Sequence, residues 1–493
     1  MKKRDEILIL LLILCLGSFL RFYNLGGPSC FNDELETLRI ASYPSVNEMM
    51  NEIINTDVHP PAYQLLMYFV VHHIGKSEFW IRFPSVIFGI LSILMIYILG
   101  KYIYSAKEGL ISAAICSVLW APLYFSQEAR VYSMLFFFSM ITTFYWLKIL
   151  NSFGENSKPK TYWIVLYILS AICIVYMQYL GLLLIILQGI SSLIVLIKSR
   201  KSFLNMLMIF VIIAISYLPW LPYAIKQISI GVEWIDRANI LAFGYFLAFL
   251  FNQSIWILTL IVLLLILCIL NMMKFGFYKN KFFISQDLFL ILWLLLPITI
   301  IFIKSVISQP VLTYYSLLIS APAAYILVAR LLSIIKFKYQ SFIPVVFIII
   351  LLIDLFYEVN YYEKPYRNQV EVFGKSFKIR SKQMFREAAQ YTQSFDSKYP
   401  NSVIVSYAWF PDYFDYYFDR INFERKVDIN IQGVKDTLKL KNITQDYPDA
   451  EYLWILRGHI SYDSSFDKWI KHQFKLIHYE PMLGADVWLY KIK

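Results

Sequence analysis

The sequence predicts a mainly α-helical polytopic membrane protein, with about eleven transmembrane helices over residues 1–358 and a small α/β domain over residues 359–493. Composition and patterning both predict the membrane part. Of the 493 residues, 59% are hydrophobic and only 16% are charged, whereas soluble domains are about a quarter charged. The apolar residues also gather into runs of roughly 20, the length that a helix needs to cross a bilayer.

Eleven apolar runs have the length and the flanking charges of membrane spans. They lie near 7–25, 80–100, 109–126, 131–149, 162–180, 181–198, 203–222, 253–272, 286–303, 312–334 and 342–358. The basic residues 2–4 precede the first run, as in a signal peptide, but no clear small-residue cleavage site follows before Arg21. We therefore expect the first run to stay in the protein.

Lysine and arginine counts predict the orientation. Loops on the side of the N-terminus hold 17 of these residues, whereas loops on the other side, leaving out the C-terminal region, hold 8. Because cytoplasmic loops carry the excess positive charge, the N-terminus is predicted inside and the 359–493 region outside. Segment 61–75 is interpreted as a helix at the outer interface, since counting it as a span would move every later basic cluster outside.

Beyond residue 358, short segments replace the long apolar runs. Their periodicity predicts helices at 381–394 and 464–473 and strands at 402–408, 451–457, 474–479 and 486–491. Helices alternating with strands are typical of an α/β domain.

Composition also excludes other classes of protein. An aromatic content of 18% excludes disorder, and four of the five cysteines lie in apolar runs, leaving only Cys30 in a loop, which excludes a disulfide scaffold. The net charge of +11 comes from short clusters between spans. A nucleic-acid partner would need those charges on one face, so none is predicted.

Ionisable residues at or within membrane spans are costly, so their placement indicates function. Most of the unusual ones fall on the predicted outer side, in or near the first outer loop (26–79) or at the outer ends of spans. The candidate site residues are Asp33, Glu34, His59, Arg82, Glu128, Arg130, Lys304 and Tyr314.

Several candidates also have a purely structural interpretation. Asp33 could cap a helix, whose first turn favours negative charge. Arg82 and Lys304 could be interfacial anchors, with the charged head in water and the stem on apolar surface. Glu128 and Arg130 could form a local ion pair at a helix end.

A metal site would need several acidic or histidine ligands that converge. Asp33, Glu34 and His59 could supply them. A divalent cation is kept as the less favoured alternative, and no other cofactor is predicted.

Four segments carry a resemblance to a known family: FNDELETLRI, VHPPAYQLL, SEFWIRFPSVIFGILSILMIYILGKYIY and YFSQEARVYSMLFF. Together they resemble the membrane glycosyltransferases of the GT-C superfamily, specifically family 39 and the aminoarabinose-transferase-like group related to protein O-mannosyltransferases. The resemblance covers residues 1–222 well and the later spans loosely. It implies two interfacial helices in the first outer loop, a polyprenyl-phosphate sugar as donor, and transfer with inversion on the extracytoplasmic side.

The resemblance also implies roles for single residues. Asp33 matches the acid that activates the acceptor, and Glu34 completes the acidic pair. His59 opens the His-Pro-Pro motif beside the site, and Arg130 falls where a polar motif flanks the cavity.

One position departs from the family pattern. The family often has an Arg-Tyr pair at the start of the late span, where this chain has Thr313 and Tyr314. Lys304 or Arg130 would then have to bind the donor phosphate.

The chemistry of such a transfer suits these residue types. A carboxylate within hydrogen-bond reach activates a weakly nucleophilic hydroxyl, and cations stabilise a departing lipid phosphate, which needs no proton. Retaining hydrolysis would instead need two carboxylates about 5 Å apart. The adjacent Asp33 and Glu34 point in different directions on a helix and form a poor pair of that kind.

The sequence thus predicts a hexosyl- or pentosyltransferase of the bacterial plasma membrane. Its expected partners are a polyprenyl-phosphate-linked sugar, a lipid, glycan or protein acceptor, and membrane lipids. A lipid-linked oligosaccharide ligase and a transporter or flippase of lipid-linked sugars are the alternatives. Transport predicts internal inverted repeats, and the sequence shows none.

Overall fold

The computed structural model describes residues 2–492 except 156, 197–199, 229–234, 276–280, 336–339, 341, 364–367, 373–374, 380–381, 409, 411, 424–427, 433–442 and 460–463. Its contacts divide the chain into two compact units. The first unit comprises Met1–Leu25, Ile40–Tyr362 and Val370–Phe377, and the second comprises Gly26–Arg39, Glu363–Gln369 and Lys378–Lys493. The second unit therefore contains part of the first outer loop together with the C-terminal region. The functional domains 1–358 and 359–493 remain a prediction.

The first unit is built from helices. Their bounds are Lys3–Phe22, Val46–Thr56, Ala62–His73, Glu78–Ile103, Ala106–Val118, Trp120–Ser126, Tyr132–Gly154, Thr161–Val175, Leu180–Leu196, Arg200–Tyr217, Leu221–Ile228, Ala242–Leu250, Ile255–Phe275, Lys281–Ile307, Ala321–Ile334 and Ile343–Ile353, with a 3₁₀-helix at Tyr315–Ser320 and a π-helix at Asp354–Glu358. Helical residues lie over each of the eleven predicted runs, so the predicted mainly α membrane bundle is confirmed.

Within the described residues, five helices are long and apolar enough to cross a membrane, or up to seven if each bent pair is one span. The exact number of eleven spans stays a prediction. Several of these helices carry exposed apolar side chains, such as Met208 and Val262, as contact with lipid tails requires.

Among the described residues, two pairs of apolar helices are bent by more than 40° at a short break. Ala106–Val118 and Trp120–Ser126 meet at 61°, and Ala242–Leu250 meets the helix that follows it at 93°. We call the first pair the broken span. Its run was predicted as one helix, 109–126, because apolar periodicity does not reveal a bend.

The polar groups freed at the break are bonded inside the protein. The Arg21 guanidinium donates to the carbonyl oxygens of Cys116 at 3.0 Å and Ser117 at 3.1 Å, on one side of the break. On the other side, the Asn252 side-chain oxygen accepts from the Trp120 backbone N–H at 2.7 Å. Lipid offers no hydrogen bonds, so a broken helix at membrane depth needs such internal partners.

The first outer loop contains three helices: Asn32–Ala41, Val46–Thr56 and Ala62–His73. The last of these helices lies within the predicted segment 61–75. Its 12 residues extend only about 18 Å, which is too short for a bilayer core of roughly 30 Å. The middle helix was not predicted, although Ser45 caps its start: the Ser45 hydroxyl accepts from the Glu48 backbone N–H at 3.2 Å.

Strands Ser402–Ala408 (β3), Asp428–Gln432 (β4), Tyr452–Gly458 (β5), Lys475–Glu480 (β6) and Ala485–Lys491 (β7) form one mixed sheet in the second unit, and Asn368–Val372 (β1) and Lys375–Ile379 (β2) pair separately. The order of the large sheet is β4-β3-β5-β7-β6, with β3 parallel to both β4 and β5 and β7 antiparallel to β5 and β6. The predicted small C-terminal α/β domain is confirmed.

Helices cover both faces of the large sheet. The described helices of the C-terminal region are Phe385–Ser394, Asp412–Arg420, Ile443–Asp446 and Ser464–Gln473. Alternate β3 residues Val403, Val405 and Tyr407 pack in one core with Phe466 and Ile470 of the last helix. The other β3 residues except the first are buried too, as expected of a central parallel strand.

Candidate active site

The helix Asn32–Ala41, which we call the acidic helix, carries two of the predicted site residues in its first turn, Asp33 and Glu34. Two negative charges at a helix N-terminus are stabilised by its dipole. Both belong to the second unit, whereas the other six candidates belong to the first unit.

Asp33 keeps part of its side chain exposed. The Asn32 side-chain amide donates to Asp33 Oδ1 at 3.3 Å, and the Thr37 hydroxyl donates to the Asp33 carbonyl oxygen at 2.9 Å. A half-exposed carboxylate on a short side chain, fixed to the first turn of a helix, can accept a proton from a hydroxyl that approaches from outside.

Glu34 is in a different environment, because its side chain is 0% exposed. Its Oε2 atom accepts from the Phe31 backbone N–H at 2.9 Å and from the Lys382 ammonium at 2.9 Å. The first contact closes the start of the acidic helix as in a capping box. The second forms a buried ion pair. These contacts favour a positioning role for Glu34 and leave Asp33 as the more accessible acid.

His59 is bonded to Asp57, on which the charge of Arg130 also acts. Its Nδ1 atom is 2.8 Å from Oδ1 of Asp57, and the same oxygen accepts from the backbone N–H groups of Val58 at 2.7 Å and His59 at 3.0 Å. Burial alone would raise the pKa of Asp57, but the charges of His59 and Arg130 and these hydrogen bonds hold the pKa below its ordinary value. Asp57 therefore orients the His59 ring and leaves Nε2 for another partner.

The segment before Arg130 is fixed to the first helix. The Gln127 amide donates to the carbonyl oxygens of Arg21 at 2.9 Å and Tyr23 at 3.0 Å, and its oxygen accepts from the Tyr361 hydroxyl at 2.6 Å. Glu128 is fully buried, and the Arg130 backbone N–H donates to its carbonyl oxygen at 2.8 Å. These hydrogen bonds fix the backbone of the segment that leads to Arg130.

Arg82 is 1% exposed and donates to the Leu25 carbonyl oxygen at 2.8 Å, just beyond the first helix. Glu128 and Arg82 both lie within electrostatic reach of the Tyr361 hydroxyl. Burial of this degree differs from that of an interfacial anchor whose head reaches water.

Lys304 and Tyr314 are further candidates from the late helices. Lys304 is half-buried in the last turn of Lys281–Ile307, where a cation is favoured by the helix dipole. The Tyr314 ring packs against Tyr245 and Ala248, and its centroid is 6.3 Å from that of Phe249.

Asp57 is one residue near the candidate site that the sequence did not predict. Asp57 bonds the predicted residue His59, and the charge of the predicted residue Arg130 acts on the same carboxylate. A local signal was present, since an aspartate two residues before a histidine can bond the intervening backbone N–H groups. Lys382, which pairs with Glu34, had no local signal at all.

Among the residues that the structure describes, no three His, Cys, Asp or Glu side chains are grouped to hold a metal ion. A divalent cation stays an untested prediction.

Comparison with known proteins agrees with the fold. Residues 58–222 match the family model described as dolichyl-phosphate-mannose-protein mannosyltransferase. No curated protein matches the sequence.

Solved structures match over most of the chain. ArnT from Cupriavidus metallidurans in the apo state matches with a TM-score of 0.56 and 11% identity, covering 97% of this chain and 97% of that one. The same protein bound to undecaprenyl phosphate matches with a TM-score of 0.54 at the same identity and coverage. The archaeal oligosaccharyltransferase AglB from Archaeoglobus fulgidus, in complex with an inhibitory peptide and a dolichol-phosphate, has a TM-score of 0.52, 12% identity, and coverage of 92% and 70%.

The chain therefore shares the fold of ArnT and AglB, in agreement with the fold that the resemblance of its four sequence segments implies. It is similar to ArnT in fold and, over residues 58–222, to the mannosyltransferase family model. It is an integral membrane protein.

Proposed function

We propose that the protein is an inverting glycosyltransferase that moves a sugar from a polyprenyl-phosphate donor to an acceptor hydroxyl on the extracytoplasmic face. The observation that carries this proposal is the fold match over 97% of both chains to a protein solved with undecaprenyl phosphate. Asp33 is proposed to supply the carboxylate that such a transfer requires, and the cations are proposed separately from residues of the first unit.

In the proposed reaction, Asp33 is the general base. Its carboxylate accepts the proton of the acceptor hydroxyl while that oxygen bonds to the anomeric carbon. The bond from this carbon to the phosphate oxygen breaks, and the electron pair leaves with the polyprenyl phosphate. A single displacement of this kind inverts the anomeric centre. Base catalysis typically contributes about 10²- to 10⁴-fold.

The cations of the first unit are proposed to hold the donor phosphate. Arg130 is the first choice, because a guanidinium can bind two phosphate oxygens at once. His59, which Asp57 orients, can donate to the phosphate from Nε2. Lys304 is the second choice for the phosphate, and Arg82, Glu128 and Tyr314 would shape the surrounding pocket.

The proposed location is the bacterial plasma membrane, with the N-terminus in the cytoplasm and the C-terminal domain outside. The excess of positive charge on the N-terminal side supports this orientation. Membrane lipids and a lipid, glycan or protein acceptor are the proposed partners.

Incubation of the purified protein with a panel of labelled polyprenyl-phosphate sugars tests the proposal. We expect one donor to be consumed, the sugar to appear on an added acceptor, and the new bond to have the opposite anomeric configuration. Retention of configuration would contradict the single displacement.

Two alternatives are distinguished by the same assay. The likeness to an archaeal oligosaccharyltransferase favours a ligase as the second candidate, which would consume pyrophosphate-linked donors and spare monophosphates. The two bent helix pairs are a feature that transporters also have. A transporter would move the labelled lipid between leaflets of a vesicle without consuming it.

A further inference from the structure

The segment that leads into the acidic helix is bonded to the C-terminal part of the second unit at several points. The Arg386 guanidinium donates to the Gly27 carbonyl oxygen, and the Ser29 hydroxyl donates to the Gln383 carbonyl oxygen. The Cys30 backbone N–H donates to the Tyr417 hydroxyl at 2.6 Å. Residues 27–30, which precede the acidic helix, are therefore bonded to residues more than 350 positions later in the chain.

The first turn of the acidic helix is held more closely still. The Asn32 backbone N–H donates to Gln383 Oε1 at 2.7 Å, and the Lys382 ammonium bonds Glu34 at 2.9 Å. The Lys382 side chain is 7% exposed and that of Glu34 is 0% exposed. Asp33 lies between the two residues that receive these contacts. Its position is thus determined by Lys382 and Gln383.

Lys382 and Gln383 are themselves fixed to the large sheet. The Gln383 amide nitrogen bonds Nδ1 of His459, directly after β5 ends, and the Met384 backbone N–H donates to the Leu483 carbonyl oxygen at 2.9 Å. Gly484 has φ +65°, and a Cβ there would lie 2.6 Å from Cγ of Gln383. A side chain at position 484 would push Gln383 away.

The contacts meet at the carboxyl end of β5, beside the carboxyl end of its parallel neighbour β3. In sheets with parallel strands, ligands bind at this edge. Asp33 is held at the same edge by groups that the C-terminal domain supplies.

We propose that Lys382 and Gln383 are positioning residues for the transfer reaction: they hold the acidic helix to the carboxyl edge of the sheet and so set the place of the Asp33 carboxylate. This inference rests on the proposed function of Asp33 as base. The C-terminal domain then contributes to the transfer reaction by orienting the base.

The buried ion pair between Lys382 and Glu34 provides a direct test of this positioning role. Removing one partner leaves the other charge buried and unpaired, whereas removing both partners relieves that penalty. Lys382→Met should therefore displace the acidic helix, and Glu34→Gln in the same chain should restore it, because the glutamine oxygen can still accept from the Phe31 N–H. Gln383→Leu tests the second contact independently of any charge.

We expect Lys382→Met and Gln383→Leu to lower kcat by about 10- to 100-fold, as misplacement of a catalytic group by roughly 1 Å does. The donor KM should change by less than about twofold, because the phosphate is held elsewhere. The double variant Lys382→Met, Glu34→Gln should recover at least about tenfold in kcat over Lys382→Met alone. Amide hydrogen exchange at residues 30–34 should rise in both single variants and fall again in the double variant.

Asp467→Asn is the matched control, since it breaks another buried ion pair of the same domain, with Arg457. It should lower the melting temperature and leave kcat unchanged. Wild-type kcat in both Lys382→Met and Gln383→Leu would overturn the inference, as would a loss in the double variant equal to that in Lys382→Met. Asp33→Asn distinguishes the proposed function from the positioning inference. Wild-type turnover in Asp33→Asn would overturn the proposed function of Asp33 as base. Wild-type turnover in the Lys382 and Gln383 variants alone would overturn only the positioning inference.

Discussion

At the scale of residues, the two adjacent acidic side chains of the proposed site have different environments, which favour different roles. Asp33 and Glu34 are adjacent in sequence and chemically alike, yet one is half-exposed and the other fully buried against Lys382. The sequence could identify the acidic pair but could not separate its members. The partner that buries Glu34 lies 348 residues away, and no local pattern records it.

Arg130 gives the most direct test of donor binding. Loss of one charge-assisted contact to phosphate costs about 1.5–3 kcal/mol, so Arg130→Ala should lower kcat/KM for the donor by roughly 10- to 150-fold. The exposed Arg237→Ala is the matched control and should keep wild-type kinetics. Unchanged donor kinetics in Arg130→Ala would instead support a structural ion pair with Glu128.

Asp57 makes a prediction about stability and pH. Because its pKa is lower in the folded protein, its stabilising contribution is complete above the ordinary carboxyl value of about 3.9 and is lost as the pH falls through the folded pKa. Asp57→Asn should therefore melt a few degrees lower between pH 5 and 8, and this deficit should shrink below about pH 4.

Thermal melts across that pH range check the Asp57 prediction. Asp449→Asn, at an exposed position, should match the wild type throughout. A deficit in Asp57→Asn that grows as the pH falls would show that the lowered pKa has been assigned wrongly.

At the scale of elements, the broken span packs so closely against its neighbouring helix that no side chain fits at Gly89. A Cβ on Gly89 would overlap the Ser126 hydroxyl and lie 2.7 Å from Ser126 Cβ and 3.0 Å from Arg21 Nε. These groups join the broken span to the first helix. Gly89→Ala should lower the melting temperature by several degrees, because overpacking of this kind costs about 1–3 kcal/mol.

Gly154→Ala is the matched control for Gly89→Ala. A Cβ at Gly154 meets nothing within 4 Å, so this variant should melt at or slightly above the wild-type temperature. Equal melting of the two variants would contradict the packing assigned to the broken span.

Elements with a strong local pattern were predicted well. Strand Ser402–Ala408 and helix Ser464–Gln473 have the predicted bounds, and strand Ala485–Lys491 begins one residue early. Helix Asp412–Arg420 was missed because its buried face consists of Tyr and Phe, which also favour strands. The predicted helix 381–394 begins only at Phe385, since Lys382 and Gln383 are used to hold the acidic helix.

For the whole molecule, hydropathy and charge predicted the membrane bundle and the small C-terminal domain. They could not predict that Gly26–Arg39 of the first outer loop belongs with the C-terminal domain. Such an association depends on contacts between distant segments, and periodicity reports only on neighbours along the chain.

Orientation is tested by cysteine labelling of intact cells, with the native cysteines replaced. Lys201→Cys and Asp449→Cys both place the thiol at exposed positions. A membrane-impermeant reagent should label position 449 and leave position 201 unlabelled until the cells are opened. Labelling of position 201 alone would reverse the proposed topology.

Turnover of Asp33→Asn tests the central claim most directly. The amide keeps the size of the side chain and most of its capping ability, so folding should be preserved while base catalysis is lost. We predict that kcat falls by about 10²- to 10⁴-fold with the donor KM little changed. Asp449→Asn, at an exposed position, is the matched control and should stay near the wild type. Near-wild-type kcat in a folded Asp33→Asn protein would contradict the assignment of Asp33 as the base.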